Sequence, residues 1–334
     1  MEKVKIGVIG IGMIGELHAR IFRESAYAEL VGICDINEEK GKKLAKELQT
    51  EFRKDFKSFF QLPVDAVSIC LPEHLHFEPT LKAISFRKHV LIEKPITSKI
   101  DEGERILKEA ERNPKLKIMV AHILRFDPRY AGIKDVIEEG KLGNISHIYA
   151  RRNNRLTDAK RIASRVSQLL YLGVHDIDLM LWYVKDQVEK VFAVSHTEIM
   201  KEYRVPDVIL GVLKFKNGVV ASLELSWILP EQYPAAIDSI MEVVGTKGIA
   251  EVNVRKQGLM VMESQGRLVY PDTLHWTSSG GRIIGDLREE LEAFARCIVE
   301  DKEVPVTVKE GLEALKVALS LEESYKKGTP ITLV

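Results

Sequence analysis

The chain is expected to fold as two domains. The first is an α/β Rossmann domain, a doubly wound parallel sheet. The second is an α+β domain on a large, mostly antiparallel, open-faced sheet. Three observations predict this. Apolar strand patterns alternate with amphipathic helix patterns as far as His122, the order of a parallel sheet covered on both faces. From Ile145 onward, strand patterns follow one another across short turns, which implies antiparallel pairing. A length of 334 residues suits about two domains. The expected division is 1–122 and 123–334, with a C-terminal helix at about 308–327 free to pack back on the first domain.

The first strand, Val4-Lys5-Ile6-Gly7-Val8-Ile9, alternates and then runs apolar, as a buried parallel strand does. It ends in Gly10-Ile11-Gly12-Met13-Ile14-Gly15, a G-x-G-x-x-G, and a helical stripe of Ile14, Leu17, His18, Ile21 and Phe22 follows. A second strand, Leu30 to Cys34, stops at Asp35, about 20 residues past the last glycine as in dinucleotide-binding folds. Gly10 allows the tight turn, Gly12 lets backbone approach a pyrophosphate, and Gly15 lets helix pack on strand. The helix N-terminus favours the anion. Asp35 is placed to accept hydrogen bonds from the adenosine ribose and to repel a 2′-phosphate, which favours NAD over NADP. Each sign alone is weak, but their order within one βαβ unit is specific.

Next come a helix from about Asn37, its N-cap, to Leu48, and a short amphipathic stretch from Phe56 to Leu62. The strand Asp65–Leu71 opens into the loop Pro72-Glu73-His74-Leu75-His76, followed by a helix to about Phe86. His89–Ile92 reads as a strand ending in Glu93-Lys94-Pro95, Lys99–Arg112 as a helix and Lys117–Ala121 as a strand. Asp35, Pro72 to His76, Glu93 to Pro95 and His122 thus all fall at carboxyl ends of strands, the rim where open α/β sheets bind ligands.

The second half opens with a helix from about Pro128 to Glu139, closed by Gly140. Strands are expected at Ile145–Arg152, Val188–Thr197, Val208–Phe215, Val219–Trp227, Ser239–Val244 and Ile249–Val254, with one helix, Gln168–Val184, among them. Lys216-Asn217-Gly218 is a hairpin signal. One helix layer leaves the other sheet face open, a natural subunit interface. The amphipathic stretches Asp286–Glu300 and Val308–Lys326 return to helix.

Composition narrows the function classes. Lys+Arg 49 balance Asp+Glu 49, so no basic excess points to nucleic acid or an anionic membrane. No apolar run reaches the ~20 residues of a membrane span, and the early strand at Val4 leaves no leader expected. Cys34, Cys70 and Cys297 lack C-x-x-C spacing and suit a reducing cytoplasm. His74 and His76 form H-x-H, but no acidic cluster completes a metal site, and no G-x-S-x-G occurs.

With these residues in hand, the chain resembles the Gfo/Idh/MocA oxidoreductases, the family of glucose–fructose oxidoreductase and inositol 2-dehydrogenase. The glycine fingerprint, Leu71-Pro72-Glu73-His74-Leu75-His76, Glu93-Lys94-Pro95, Arg125-Phe126-Asp127-Pro128, Gly173-Val174-His175-Asp176-Ile177-Asp178 and the terminal Gly328-Thr329-Pro330-Ile331 occur in the family's order. The resemblance implies an enzyme that moves a hydride between NAD(P) and a carbinol or ketone carbon of a sugar, cyclitol, sugar acid or nucleotide-sugar. It also implies a homodimer or homotetramer built through the open sheet. By the same likeness Lys94 stabilises the developing alkoxide and relays its proton, and His175 is the general acid/base. An ammonium and an imidazole suit those tasks near neutral pH. Cofactor contacts are expected from Gly10, Gly12, Met13, Ile14, Gly15, Asp35, Leu71, Pro72, His76, Glu93 and Lys94.

One position departs from the pattern. Many members carry an aspartate one helical turn before the histidine, and here Tyr171 stands there. A phenol is neutral near pH 7, so the usual proton relay and the ordinary inositol or hexose substrates come into question. Tyr171, Asp178, Arg125, Arg152 and Arg155 are the candidate substrate-binding residues. The arginines could take a carboxylate or phosphate, and could equally serve structure: Arg125 as a tie by salt bridges, the others as solvated strand ends. Two alternatives to ordinary turnover stay open: a dinucleotide-binding regulator without activity, and an enzyme that keeps its NAD bound and oxidises only transiently.

Overall fold

The computed structural model describes residues 2–255, 258–264 and 266–333. The chain divides into two compact units, Met1–Ile123 with Trp276–Leu315, and Leu124–His275 with Lys316–Val334.

The first unit begins β1 (Val4–Ile9), α1 (Met13–Glu24), β2 (Ala28–Cys34), α2 (Glu38–Leu48), β3 (Glu51–Arg53), α3 (Phe56–Phe59) and β4 (Ala66–Ile69). It continues with α4 (Phe77–Ser85), β5 (His89–Glu93), α5 (Ile100–Arg112) and β6 (Ile118–Ala121). The six strands form one parallel sheet in the order β3-β2-β1-β4-β5-β6. Ile6, Val8, Ile69, Val90, Leu91, Ile92 and Met119 have essentially no exposure. That is why these strands read as unbroken apolar runs: both faces are covered. The order reverses between β1 and β4, and open α/β sheets bind ligands outside the strand ends at such a reversal. Asn37 caps α2 by accepting the Lys40 N–H at 3.0 Å. The edge strand β3 has no apolar run to announce it and was not expected.

In the second unit α6 (Pro128–Glu138) precedes β7 (Ile145–Arg155), α7 (Leu156–Lys160) and α8 (Val174–Val184). Then come β8 (Val188–His196), β9 (Val208–Phe215), β10 (Val220–Leu229), β11 (Ile237–Gly245) and β12 (Ile249–Asn253). The sheet order is β12-β11-β7-β10-β9-β8, with Ile331–Thr332 added beside β8. All its pairings are antiparallel except β7 with β10. β7 runs past its expected end at Arg152, because Asn153 pairs with Ser226 on one side and Asn154 with Ile237 on the other. The expected helix Gln168–Val184 is a π-helical turn, Leu169–Gly173, followed by α8. Ala150, Leu223, Leu225, Trp227, Met241 and Val243 bury one face of the sheet. On the other, Phe192, Val194, Leu210, Val212 and Val220 are 39–52% exposed.

The chain closes with α9 (Asp286–Val299) and α10 (Val308–Lys327). Leu287, Leu291, Phe294 and Ala295 on α9 are buried, and Arg288 donates to Glu24 of α1 at 2.5 Å. Among the described residues, no helix is long and apolar enough to cross a membrane.

Candidate active site

In the first unit the turn after β1 is shaped by its glycines. Gly10 has φ +87°, and a Cβ on it would stand 2.8 Å from the Cys70 carbonyl oxygen. A Cβ on Gly15 would lie 1.9 Å from the Gly10 oxygen, so the close packing of α1 on β1 requires glycine. Gly12 differs: a Cβ there would meet no protein atom within 4 Å. Protein packing therefore does not demand glycine at 12, whereas close approach of a pyrophosphate does. Asp35 Oδ2 accepts the Ile11 N–H and Oδ1 the Asn37 N–H, both at 2.8 Å. Each oxygen keeps lone-pair capacity for a ribose hydroxyl. The residues present fit NAD.

At the end of β5, Glu93 Oε2 accepts the backbone N–H of Lys94 at 3.1 Å, and the Lys94–Pro95 peptide is cis. His76 is buried, with Nδ1 3.0 Å from the Pro95 carbonyl oxygen and Nε2 2.7 Å from that of Leu71. Burial lowers its pKa, so the ring is neutral and donates to one of the two carbonyls. Its nitrogens are turned to backbone, which makes it a brace for the strand ends. Met13 is exposed at the start of α1.

In the second unit His175 and Tyr171 lie one turn apart across the junction of the π turn and α8. Tyr171 sets its ring edge-on against Trp227, centroids 6.3 Å apart. Burial raises its phenol pKa, which keeps it neutral. The acids flanking His175 are committed. Asp178 takes Arg125 through two bonds of 2.8 and 2.7 Å, and Asp176 takes Arg152 through two of 2.8 and 2.9 Å, all four side chains buried. Arg152 also donates to Tyr130 Oη at 3.3 Å. Two bidentate pairs at positions two apart on α8 restrain its rotation and so fix the direction of His175. Arg155 is half-buried and donates to the Glu231 carbonyl at 3.4 Å.

Arg125, Arg152 and Asp178, expected to touch substrate, stand in these buried ion pairs, as a buried ion must be neutralised by its neighbours. Besides these residues, Trp227 and Gln168 are fully buried, and Gln168 donates to the Pro206 carbonyl at 2.6 Å, contacts that no spacing in the sequence announces. Sequence reasoning also took His18 for part of an apolar stripe, although a polar ring on such a stripe is itself a signal.

A doubly wound fold with an NAD-fitting turn, joined to an α+β unit carrying a histidine, defines a dinucleotide-dependent oxidoreductase. The chain belongs to the GFO/IDH/MocA family: the model described as "Oxidoreductase family, NAD-binding Rossmann fold" matches residues 4–122, and that of the "GFO/IDH/MocA C-terminal domain" residues 130–251. It is similar to the myo-inositol 2-dehydrogenase of Thermotoga maritima, 27% identical over 99% of this chain and 98% of the relative. It is also 25% identical to the scyllo-inositol 2-dehydrogenase (NAD(+)) of Bacillus subtilis, over 99% and 97%. Among solved structures, apo scyllo-inositol dehydrogenase from Lactobacillus casei superposes with TM-score 0.88 at 25% identity, covering 99% of this chain and 98% of that one. The same protein with bound NAD(H) and scyllo-inositol shares the fold, with TM-score 0.86 at 23% identity over 99% of each chain.

Proposed function

We propose that the enzyme oxidises a CH–OH carbon of a cyclitol or related sugar, or reduces the matching ketone, with Lys94 and His175 handling the hydroxyl proton. NAD, when bound, accepts the hydride. Lys94 carries the proposal: the residue stands at the carboxyl end of β5, one strand beyond the sheet's order reversal and in the unit that holds the NAD turn. Its ammonium donates to the carbinol oxygen and stabilises the developing alkoxide. His175, aimed by the Asp176 and Asp178 pairs, accepts the hydroxyl proton and returns it in the reverse direction. Tyr171 offers a neutral O–H where relatives in this family often carry a carboxylate, and Arg155 stands at the end of β7 for a polar substituent. Arg125, Arg152 and Asp178 act through α8. The full-length inositol dehydrogenase relatives support a cyclitol.

The exposed apolar face formed by Phe192, Val194, Leu210 and Val212 supports a homodimer or homotetramer, and the free cysteines suit the cytoplasm. The test is a screen of inositols, aldoses, sugar acids and nucleotide-sugars with NAD and NADP. NADH should form with a polyol, and Lys94→Ala and His175→Ala should each lose that turnover. Undiminished turnover in both variants refutes the assignment.

A further inference from the structure

His18 sits on the buried face of α1, beside Ile21 and Phe22, with no exposure. A polar ring in that position must find polar partners, and it has three. Nδ1 lies 2.8 Å from Ser68 Oγ and 3.3 Å from the Cys70 sulfur, while Nε2 lies 3.3 Å from Glu93 Oε1. The second oxygen of Glu93 holds the Lys94 N–H, and His76 holds the Pro95 carbonyl one residue further on. The segment Glu93-Lys94-Pro95 is therefore braced from two sides by buried imidazoles. One of those, His18, belongs to α1, the helix that follows the glycine turn.

We propose that His18 is a positioning residue for the reaction: as an imidazolium it keeps Glu93 ionised and in place, and Glu93 in turn sets the position and charge of Lys94. This rests on the reading of Lys94 as the group that serves the carbinol oxygen. A buried carboxylate with no cation beside it takes up a proton. Burial pushes the Glu93 carboxyl up, yet His18 first, then Lys94, hold it below the usual range. Burial also opposes charge on His18, but Cys70 and Glu93 outweigh it and raise the ring to about 10. A doubly protonated ring can donate from Nδ1 to Ser68 and set its positive charge 3.3 Å from the carboxylate, which a neutral ring cannot.

The test uses the full-length enzyme with NADH and a ketone substrate, in His18→Leu, His18→Gln, Glu93→Gln, the His18→Leu/Glu93→Gln double variant and Lys94→Ala. Loss of alignment at Lys94 predicts a fall in kcat of about 100-fold for His18→Leu, with the NADH dissociation constant moved less than about threefold. The high-pH limb of ketone reduction should shift to lower pH, because a protonated Glu93 no longer favours the ammonium. His18→Gln, which keeps an N–H donor, should recover part of the loss. In the double variant the His18 change should cost nothing beyond Glu93→Gln. An unmoved pH limb and kcat in His18→Leu, with Lys94→Ala inactive, would reduce His18 to a core residue and overturn the proposal. So would multiplying losses in the double variant. Turnover that survives Lys94→Ala instead removes the underlying reading of Lys94. Should His18→Leu not fold, His18→Gln and Glu93→Gln carry the same comparison.

Discussion

In the first unit the groups expected to face NAD are mostly backbone, and three glycines and one aspartate shape them within a single βαβ stretch. In the second unit His175 rides on a helix held by arginines drawn from 53 and 24 residues before their aspartates. The first arrangement is local and geometric. The second is long-range and ionic, and it should fail in a different way: by loss of stability when one partner goes, rather than by loss of cofactor.

The largest contrast is therefore expected at Arg152. Arg152→Met leaves Asp176 buried and unpaired, and should cost about 3–5 kcal/mol in denaturant unfolding. Replacing both partners, as Arg152→Met with Asp176→Leu, should restore most of that loss while leaving His175 less well aimed. If Arg152→Met unfolds like the wild type, α8 is not held by this pair.

The glycine turn offers the next comparison. Gly15→Ala drives a methyl into the Gly10 oxygen and should destabilise by about 1–3 kcal/mol. Gly12→Ala meets no protein atom within 4 Å, so stability should stay within about 0.5 kcal/mol while NADH binding, followed by fluorescence, weakens. Equal thermal shifts in the two variants would erase the distinction between packing and cofactor approach.

A pH series tests the buried pair of the first unit. Glu93 has a lowered pKa, so its contribution is present above the usual carboxylate value and is lost as pH falls through its folded value. His18 is raised from 6.5 to about 10, so its contribution is full below 6.5 and is lost as pH climbs through about 10. The Tm difference between wild type and Glu93→Gln should be constant between the usual carboxylate value and 6.5, shrink as pH rises from 6.5 towards about 10, and shrink again in acid. A difference that grows towards high pH would contradict the charged pair.

The smallest effect concerns cofactor choice. Asp35→Ser removes the charge that repels a 2′-phosphate, and Lys40, whose ammonium rests 2.6 Å from the Ile11 carbonyl oxygen, stands nearby. The ratio of kcat/KM for NAD over NADP should fall by about tenfold, the order of one lost charge contact. An unchanged ratio would place discrimination elsewhere.

The same contrast explains what the sequence could reveal. The turn at Gly10 to Gly15, Asp35 and Glu93-Lys94-Pro95 are legible because backbone conformation and strand ends are set by neighbours in the chain. The apolar runs of β1, β4, β5 and β6 are legible because burial on both faces leaves no alternation. The partners of Asp176, Asp178 and His18 are not, since each depends on which strand or loop lies opposite. β7 outlasts its apolar pattern because β10 and β11 supply hydrogen bonds on both sides of Asn153 and Asn154. The π turn before α8 likewise has no mark in a stripe that reads as continuous helix.

The proposed chemistry rests on Lys94 and His175, each of which can be tested by itself. The direct measurement is hydride transfer to NAD from a C-deuterated inositol by the wild type, Lys94→Ala and His175→Ala, each with its NADH affinity. The account predicts label on NADH in the wild type and losses of about 10²–10⁴-fold in each single variant with NADH still bound. Wild-type transfer in either single variant would contradict the role proposed for that residue.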